Sequence, residues 1–320
     1  MTSPERMIAI IAALLAQAAT AAVVPPPTPT TPPPVETPVA SPDTAEGLDP
    51  ADLALVLQSV DLRMTTQVTV NGKGPYRFIV DTGATRSVIS RRLAAELGLT
   101  ASGKRRLVST GGVREVEVVR IDELGLGKLI AGPVVAPLLD EANIGAAGML
   151  GIDVLANRQV EMDLIADRMT IRKGASRPAS TSGEEIVVVA RRRYGELVLV
   201  DADIDGEPIY VVLDTGASGS LGNMALKNRL ERRLRRQPVK TVMLLDVVGN
   251  VLEAQASQLP TIRLGGVTVV SAPAAFADVE TFRQFGLIGR PAMLLGMDVL
   301  RSFRRVIVDF GTKKVRFQLR

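Results

Sequence analysis

The chain has 320 residues, 46% of them hydrophobic and 3% aromatic, and its 38 Lys and Arg against 34 Asp and Glu give a formal net charge of +4. This length allows two domains with sizeable cores, built mostly from Val, Leu, Ile and Ala. The chain contains no Cys and no His. Disulfides, Ser-His-Asp and Cys-His catalysis, and His- or Cys-liganded zinc sites are therefore excluded.

Residues 1–22 have the pattern of a secretory signal peptide. Arg6 provides a positive charge, an apolar run extends from Met7 to Leu15, and Ala19-Thr20-Ala21 matches a small-x-small cleavage site. The apolar run is shorter than a membrane-spanning helix needs, although an uncleaved membrane anchor is the alternative. We therefore expect an exported, periplasmic protein that contacts a membrane only through this segment, if it is not cleaved.

Two breaks divide the rest of the chain. The prolines between Pro25 and Pro42 prevent helix and sheet pairing and favour an extended spacer. The stretch from Arg172 to Glu185 is small, polar and rich in turn-forming residues. The predicted organisation is a Pro-rich linker over residues 23–54, an N-terminal lobe over 55–173, an interdomain linker over 174–186 and a C-terminal lobe over 187–320.

The two predicted lobes repeat the same segments in the same order. Val68–Ala84 matches Ala202–Ala217, Ser109–Val118 matches Asp246–Gln255, Leu124–Gly127 matches Ile262–Gly265, Met149–Leu155 matches Leu294–Leu300, and Val160–Arg172 matches Val306–Gln318. Asn71-Gly72 and Asp205-Gly206 are strong signals for two-residue hairpins. Each half consists mostly of short strands with turn signals, which predicts two small β-rich domains.

An apolar strand in each half ends on an acid, at Asp81 and at Asp214, and Thr-Gly-Ala follows both. A lone carboxylate is costly to bury unless it is paired. If the halves pack about a pseudo-twofold axis, the two acids meet, one pKa rises and the pair shares a proton. Such a pair activates a water, one carboxylate acting as base while the other protonates a carbonyl oxygen.

The residues after each acid fit this interpretation. Gly83 and Gly216 leave room for backbone N–H groups to approach the carboxylates. Thr82 and Thr215 offer hydroxyls that can lock the two loops together. The chemistry needs no His, Cys, metal or cofactor, so we predict that the chain binds none.

These motifs resemble those of the aspartic peptidase family, from roughly Val56 to Arg320. The resemblance implies that Asp81 and Asp214 are catalytic and that Thr82 and Thr215 link the two lobes. It also implies that Gly-centred hairpins cover the substrate as flaps and that apolar-Gly segments support the loops that carry the acids. The implied flap residues are Gly111, Gly112 and Gly249, and the implied supporting segments are Leu150-Gly151 and Leu295-Gly296.

Ala84 and Ala217 after the glycines resemble retropepsins, and the segment at Leu294–Leu300 resembles bacterial retropepsin-like proteins. Those proteins supply one acid per chain and dimerise, whereas this chain carries both acids. The implied fold is all-β with a few short helices. It has two pseudo-symmetric retropepsin-like β-barrel lobes in a bilobed arrangement that works as a monomer.

The predicted function is therefore aspartic endopeptidase activity on an extended polypeptide, without nucleic acid. One alternative is a catalytically silent module that binds peptides with the same fold. Another is hydrolysis of a glycoside by paired carboxylates. The symmetry of the two motifs and the scarcity of aromatic residues for sugar stacking argue against the glycoside.

Three further patterns have ordinary interpretations. Leu226–Lys240 is basic with Leu at every fourth position, which favours a solvated helix face over binding to an anionic partner or lipid surface. Asp201–Gly206 resembles the start of a calcium loop, but the twelfth position is Val212 rather than Glu. Asp153 and Asp298 each follow an apolar-Gly segment and are predicted to be helix caps.

Overall fold

The computed structural model describes residues 8–9, 15–16, 62–173, 185–193, 196–199 and 202–320. The strands are β1 (Ile8–Ala9), β2 (Leu15–Ala16), β3 (Thr65–Val70), β4 (Lys73–Val80), β5 (Val88–Ser90), β6 (Ala101–Ser109), β7 (Gly112–Ile121), β8 (Leu124–Leu126), β9 (Leu129–Ala131), β10 (Val134–Leu139), β11 (Gly148–Leu150), β12 (Arg158–Asp163), β13 (Arg168–Lys173), β14 (Glu185–Arg193), β15 (Glu196–Leu199), β16 (Ala202–Ile204), β17 (Glu207–Pro208), β18 (Tyr210–Leu213), β19 (Leu221–Gly222), β20 (Lys240–Leu245), β21 (Val251–Leu264), β22 (Val267–Phe276), β23 (Ala292–Leu295), β24 (Arg305–Asp309) and β25 (Lys314–Gln318). The helices are α1 (Arg91–Glu96), α2 (Glu141–Ile144), α3 (Ile152–Leu155), α4 (Met224–Arg229), α5 (Glu231–Leu234), α6 (Glu280–Gln284) and α7 (Met297–Leu300). The fold of these residues is mainly β, as the sequence predicts.

The two predicted hairpins are present. The φ angles are 48° at Asn71 and 75° at Gly72 between β3 and β4, and 52° at Asp205 and 85° at Gly206 between β16 and β17. Positive φ at both central residues is the type I′ geometry, whose twist matches that of the flanking strands. Both halves therefore contain the same type of two-residue hairpin turn, and this prediction is confirmed.

Each lobe inserts a short apolar strand beside the strand that ends on the acid. In the first lobe, β11 is parallel to β4 and antiparallel to β5. In the second lobe, β23 is parallel to β18 and antiparallel to β19. Gly148 begins β11, where a Cβ would overlap the ring of Phe78. The repeated insertion places the ends of β4 and β18, and hence the two acids, at equivalent points.

The two lobes share one sheet, with strand order β13-β12-β24-β25-β14. In the pairing of β12 with β24, Val160 lies opposite Val308, and both are buried. Strand β14 adds to this sheet by pairing with β25. The predicted interdomain linker ends too late, because Glu185 and Ile186 belong to β14. The rest of that linker, residues 174–184, lies outside the described residues.

A single apolar cluster extends through both lobes. It includes Val80 and Leu150 from the first lobe and Leu213 and Leu295 from the second, all buried. These four residues flank the points where the two acids emerge. The strand ends that carry the acids are therefore anchored in one common core rather than in two independent ones.

Most of the predicted signal peptide and all of the Pro-rich linker lie outside the described residues. Strand β1 pairs with β6 beside Leu107 and Val108, and β2 pairs with β20 beside Leu244 and Leu245. No helix among the described residues is long and apolar enough to cross a membrane.

The basic stretch forms two short helices, α4 and α5, instead of the single helix expected, with Leu230 between them. Leu226, Leu230 and Leu234 are buried, as the four-residue spacing predicts. The ion pairs on this side of the lobe are Arg229–Glu207, Arg233–Asp205 and Arg263–Asp203. Two acids of the calcium-like motif are thus paired with arginines.

Candidate active site

The two acids lie at the ends of buried strands, and the neighbouring strands fix their backbones. The N–H of Asp81 donates to the carbonyl oxygen of Leu150 at 2.9 Å, and that of Asp214 donates to Leu295 at 3.0 Å. Both acid side chains are fully buried. The apolar segments that the resemblance implies as supports are therefore hydrogen-bonded directly to the residues that carry the carboxyl groups.

Thr82 and Thr215 join the two loops by a reciprocal set of hydrogen bonds. The N–H of each threonine donates to the hydroxyl of the other, at 3.1 and 3.2 Å. The hydroxyl of Thr82 donates to the carbonyl oxygen of Leu213 at 2.8 Å, and that of Thr215 donates to Val80 at 2.6 Å. Each hydroxyl thus both accepts and donates across the lobe boundary, which fixes the relative positions of the acids.

The glycines after the threonines permit close approach to the carboxyl groups. The N–H of Gly83 donates to Oδ1 of Asp81 at 2.8 Å, and that of Gly216 donates to Oδ1 of Asp214 at 3.1 Å. A Cβ on Gly216 would overlap the carboxyl group of Asp81. Only glycine therefore fits at this position while the two acids remain side by side.

The two carboxyl groups lie side by side. Two carboxyl groups at such close range cannot both ionise easily, which favours one shared proton. Burial raises the pKa of Asp214 to about 7, against the lowering effect of the Gly216 and Ala217 N–H groups, the Asp81 side chain and the charge of Arg63. The geometry is that of a pair that shares one proton near neutral pH.

In each lobe, a serine that follows the acid hydrogen-bonds to a second aspartate. Ser87 donates through its N–H and its hydroxyl to Oδ1 of Asp153, at 2.9 and 2.7 Å, and its hydroxyl accepts from the N–H of Gly151. Ser220 donates through its N–H to Oδ2 and through its hydroxyl to Oδ1 of Asp298, at 2.9 and 2.6 Å, and its hydroxyl accepts from the N–H of Gly296 at 3.0 Å. Burial raises the pKa of Asp153 and takes that of Asp298 to about 6.

The prediction that Asp153 and Asp298 are helix caps is wrong. The N-cap residues of α3 and α7 are Gly151 and Gly296, and the aspartates lie in the first helical turn. Their carboxyl groups receive hydrogen bonds from serines far away in the chain, and Oδ1 of Asp298 also accepts from the N–H of Val299. The sequence contained a signal for this pair, because a serine lies six residues after the acid in both halves, at Ser87 and Ser220.

The implied flap residues lie at the tips of two hairpins. Gly111 lies in the turn between β6 and β7, and Gly112, with φ 136°, begins β7. Gly249, with φ 86°, lies between β20 and β21 and approaches the side chain of Asn143 in the first lobe. Val248, its neighbour, packs in a cluster with Ala84, which directly follows Gly83. The second hairpin thus reaches over to the loop of the first acid.

Comparison with known proteins supports this assignment. A family model described as aspartyl protease matches residues 66–154 and 200–299, together more than half of the chain. The chain belongs to the aspartyl protease family. The two matched regions of this aspartyl protease each contain one Asp-Thr-Gly-Ala motif. The predicted family and the two-lobed, mainly-β fold class are thereby confirmed.

A comparison with curated proteins finds no match. Among solved structures, a retropepsin-like aspartic protease from Rickettsia conorii is 21% identical to this chain, with a TM-score of 0.32. The similarity covers 44% of this chain and 94% of that one.

The described residues contain no group of three or more Asp and Glu side chains arranged to hold a metal ion. What the site of this aspartyl protease does contain is two buried carboxyl groups side by side, one from each lobe. That combination suits proton transfer to and from a substrate carbonyl and an attacking water.

Proposed function

We propose that this aspartyl protease is an exported endopeptidase that hydrolyses peptide bonds by means of a water activated between Asp81 and Asp214. The observation that carries the proposal is the juxtaposition of two fully buried carboxyl groups, one from each lobe, which favours one shared proton. A shared proton makes one member of the pair a base and the other an acid at the same pH, which amide hydrolysis requires.

In the proposed reaction, the unprotonated carboxylate removes a proton from the water as the water oxygen bonds to the peptide carbonyl carbon. The protonated partner gives its proton to the carbonyl oxygen, which yields a tetrahedral diol. Proton transfer from the dyad to the amide nitrogen and return of a diol proton to the dyad then break the C–N bond. A carboxylic acid and an amine leave, and the pair again holds one proton.

The substrate that fits this site is a polypeptide in extended conformation. The edges of the hairpin strands β6 and β20 accept extended backbone, since each pairs with a short segment of the N-terminal region. An incoming peptide would add to such edges through main-chain hydrogen bonds. A single chain supplies both acids, which supports a monomer that contains its own pseudo-dimer.

The proposed place of action is the periplasm. The support is the sequence pattern of residues 1–22, which has the charge, apolar run and small residues of a secretory signal. Fractionation of cells that express the full chain would test it. Recovery of the protein in the cytosolic fraction, with its N-terminus intact, would contradict it.

The test of the activity uses the full chain with fluorescein-labelled casein across acid to neutral pH. We expect cleavage by the parent and a loss of about 10²–10⁴-fold in both Asp81→Asn and Asp214→Asn. Asp309→Asn is the matched control, because Asp309 is equally buried but caps only its own hairpin. Full activity in either dyad variant contradicts the shared mechanism. Stoichiometric binding without cleavage by the parent identifies a peptide-binding module instead.

A further inference from the structure

The carboxylate of Asp246 lies completely buried at the tip of the second flap, the hairpin of β20 and β21. Within its own turn it accepts hydrogen bonds from the N–H groups of Val248 and Asn250, at 3.0 and 2.7 Å, and from the Asn250 side chain at 2.9 Å. From the first flap, the hairpin of β6 and β7, it accepts the hydroxyl of Ser109 at 2.6 Å and the N–H of Gly111 at 3.0 Å.

The two oxygens of this carboxylate have different hydrogen-bond partners. Oδ1 receives only the backbone N–H groups of its own turn and therefore shapes the second flap. Oδ2 receives the Asn250 side chain and both donors of the first flap, and it therefore ties the flaps to each other. The fit is close, because a Cβ on Gly111 would lie 2.6 Å from Oδ2 of Asp246.

Two further contacts hold the flaps together. Arg114 of the first flap donates to the carbonyl oxygen of Val248 at 3.2 Å and to Oδ1 of Asn250 at 3.0 Å. Beneath the carboxylate, Val247 is fully buried and packs in a cluster with Leu107 of the first flap. Hydrogen bonds to a charged group in such a dry setting are stronger than those between neutral groups.

The contact lies across the pseudo-twofold axis, but it is chemically asymmetric. Ser109 and Asp246 occupy equivalent positions in the repeated segments, and the structure brings these two equivalent residues into contact. One half therefore supplies the carboxylate and the other supplies the donors. Opening the flaps would remove the two first-flap donors from this buried carboxylate and leave it only the donors of its own turn, which is costly unless water replaces them.

We propose that Asp246 is a positioning residue that latches the two flaps closed above the dyad, and that a polypeptide enters only when the bonds from Ser109 and Gly111 are broken. In the closed form both dyad acids are inaccessible to solvent. The apparent affinity for substrate is then reduced by the fraction of molecules that are unlatched. Weakening the latch raises that fraction and tightens apparent binding. This inference deepens the proposed function of the same site.

The experiment compares full-length Asp246→Asn, Ser109→Ala and the control Asp309→Asn. Asp246→Asn keeps the side-chain volume but turns an acceptor into a donor, and Ser109→Ala removes one of the two donors of the first flap. The first readout is hydrogen exchange at the Gly111 amide, which needs no substrate. The second is the association rate of fluorescein-labelled casein, measured in an Asp81→Asn background so that it is not cleaved. The third is KM and kcat with casein.

For Asp246→Asn we expect Gly111 exchange and casein association to be faster by about tenfold and KM to fall by a similar factor, with kcat little changed. Ser109→Ala should give a smaller change in the same direction, and Asp309→Asn none. A merely structural role predicts the opposite, a raised KM or a lowered kcat, and that result would overturn the proposal. Faster hydrogen exchange at Gly111 with an unchanged association rate of casein would also overturn the proposal. If the parent does not cleave casein, the proposed function fails while the first two readouts still decide on the latch.

Discussion

The two halves of the molecule are nearly identical at the dyad and differ around it. Each lobe has an apolar cluster beside its acid, and four positions of these clusters correspond: Ile79, Val88, Leu107 and Met149 in the first lobe and Val212, Leu221, Leu244 and Leu294 in the second. The cluster of the first lobe is completed by Val247 and Val248 from the opposite flap. The cluster of the second lobe is completed by Phe282 and Phe285, from α6 and the residue after it.

The difference has a simple structural origin. The segment before β23, residues 277–291, is longer than its counterpart before β11, residues 140–147, and it contains α6. The first flap carries Thr110 and Gly111 at its tip, which offer no apolar group to insert, and the carbonyl oxygen of Thr110 instead accepts from the N–H of Glu280 in α6. A shared proton requires symmetry only where the carboxyl groups meet. The residues that surround the carboxyl groups therefore can differ between the two lobes, and they do.

The largest expected effect concerns the symmetric part of the site, the proton shared by Asp81 and Asp214. Burial raises the pKa of Asp214 to about 7, so the shared proton is present below that pH and is lost as the pH rises through it. We expect log kcat/KM to fall by about one unit per pH unit above pH 7. A pH series with casein measures this. Undiminished activity at about pH 9 would show that hydrolysis does not use the shared proton.

The second prediction separates the two apolar clusters. Phe282→Ala removes a ring from the interior of the second lobe, and we expect the free energy of unfolding to fall by about 3–5 kcal/mol. Val247→Ala removes two methyl groups from a contact between the two flaps, and we expect a loss of about 1–2 kcal/mol at most. Urea unfolding of both variants measures the difference. Equal losses would show that the second flap is as much a part of the core as α6.

The sequence predicted what depends on local pattern and on repetition. The two Asp-Thr-Gly-Ala motifs at matching positions predicted the acids and the threonine hydroxyls that join the loops, whereas the flap glycines came from the resemblance to the aspartic peptidase family. The helix-cap interpretation of Asp153 failed because a local rule was applied to a side chain whose partner, Ser87, lies far away in the chain. The latch was missed for a similar reason, since a contact between Ser109 and Asp246 depends on how the lobes pack.

A third prediction concerns Asp298, whose carboxyl group accepts hydrogen bonds from Ser220 in the second lobe. Burial raises the pKa of Asp298 to about 6, so the stability this group contributes is fully present below about pH 4, its usual pKa, and is lost as the pH rises through about 6. The unfolding free energy of the parent should therefore fall over this window by up to about 3 kcal/mol relative to Asp298→Asn. The effect is smaller than this limit because the side chain is only half-buried. Urea unfolding at pH 4 and pH 7 measures it, and a constant difference between the two proteins would contradict it.

The smallest expected difference is the one between the two threonine variants, because their hydrogen bonds match. Thr82→Val leaves the carbonyl oxygen of Leu213 and the N–H of Thr215 without their partners, and Thr215→Val does the same to Val80 and Thr82. Each buried group that loses its hydrogen bond costs about 1–3 kcal/mol, so we expect both variants to lose unfolding free energy by similar amounts of about 2–6 kcal/mol.

The matched control for the threonines is Thr281→Val. The hydroxyl of Thr281 is also buried but has no hydrogen-bond partner among the described residues, so its removal should be neutral or slightly stabilising. If Thr82→Val and Thr215→Val differ by much more than their uncertainty, the lobes are joined unequally. The twofold symmetry would then be confined to the carboxyl groups and would not extend to the loops that carry them.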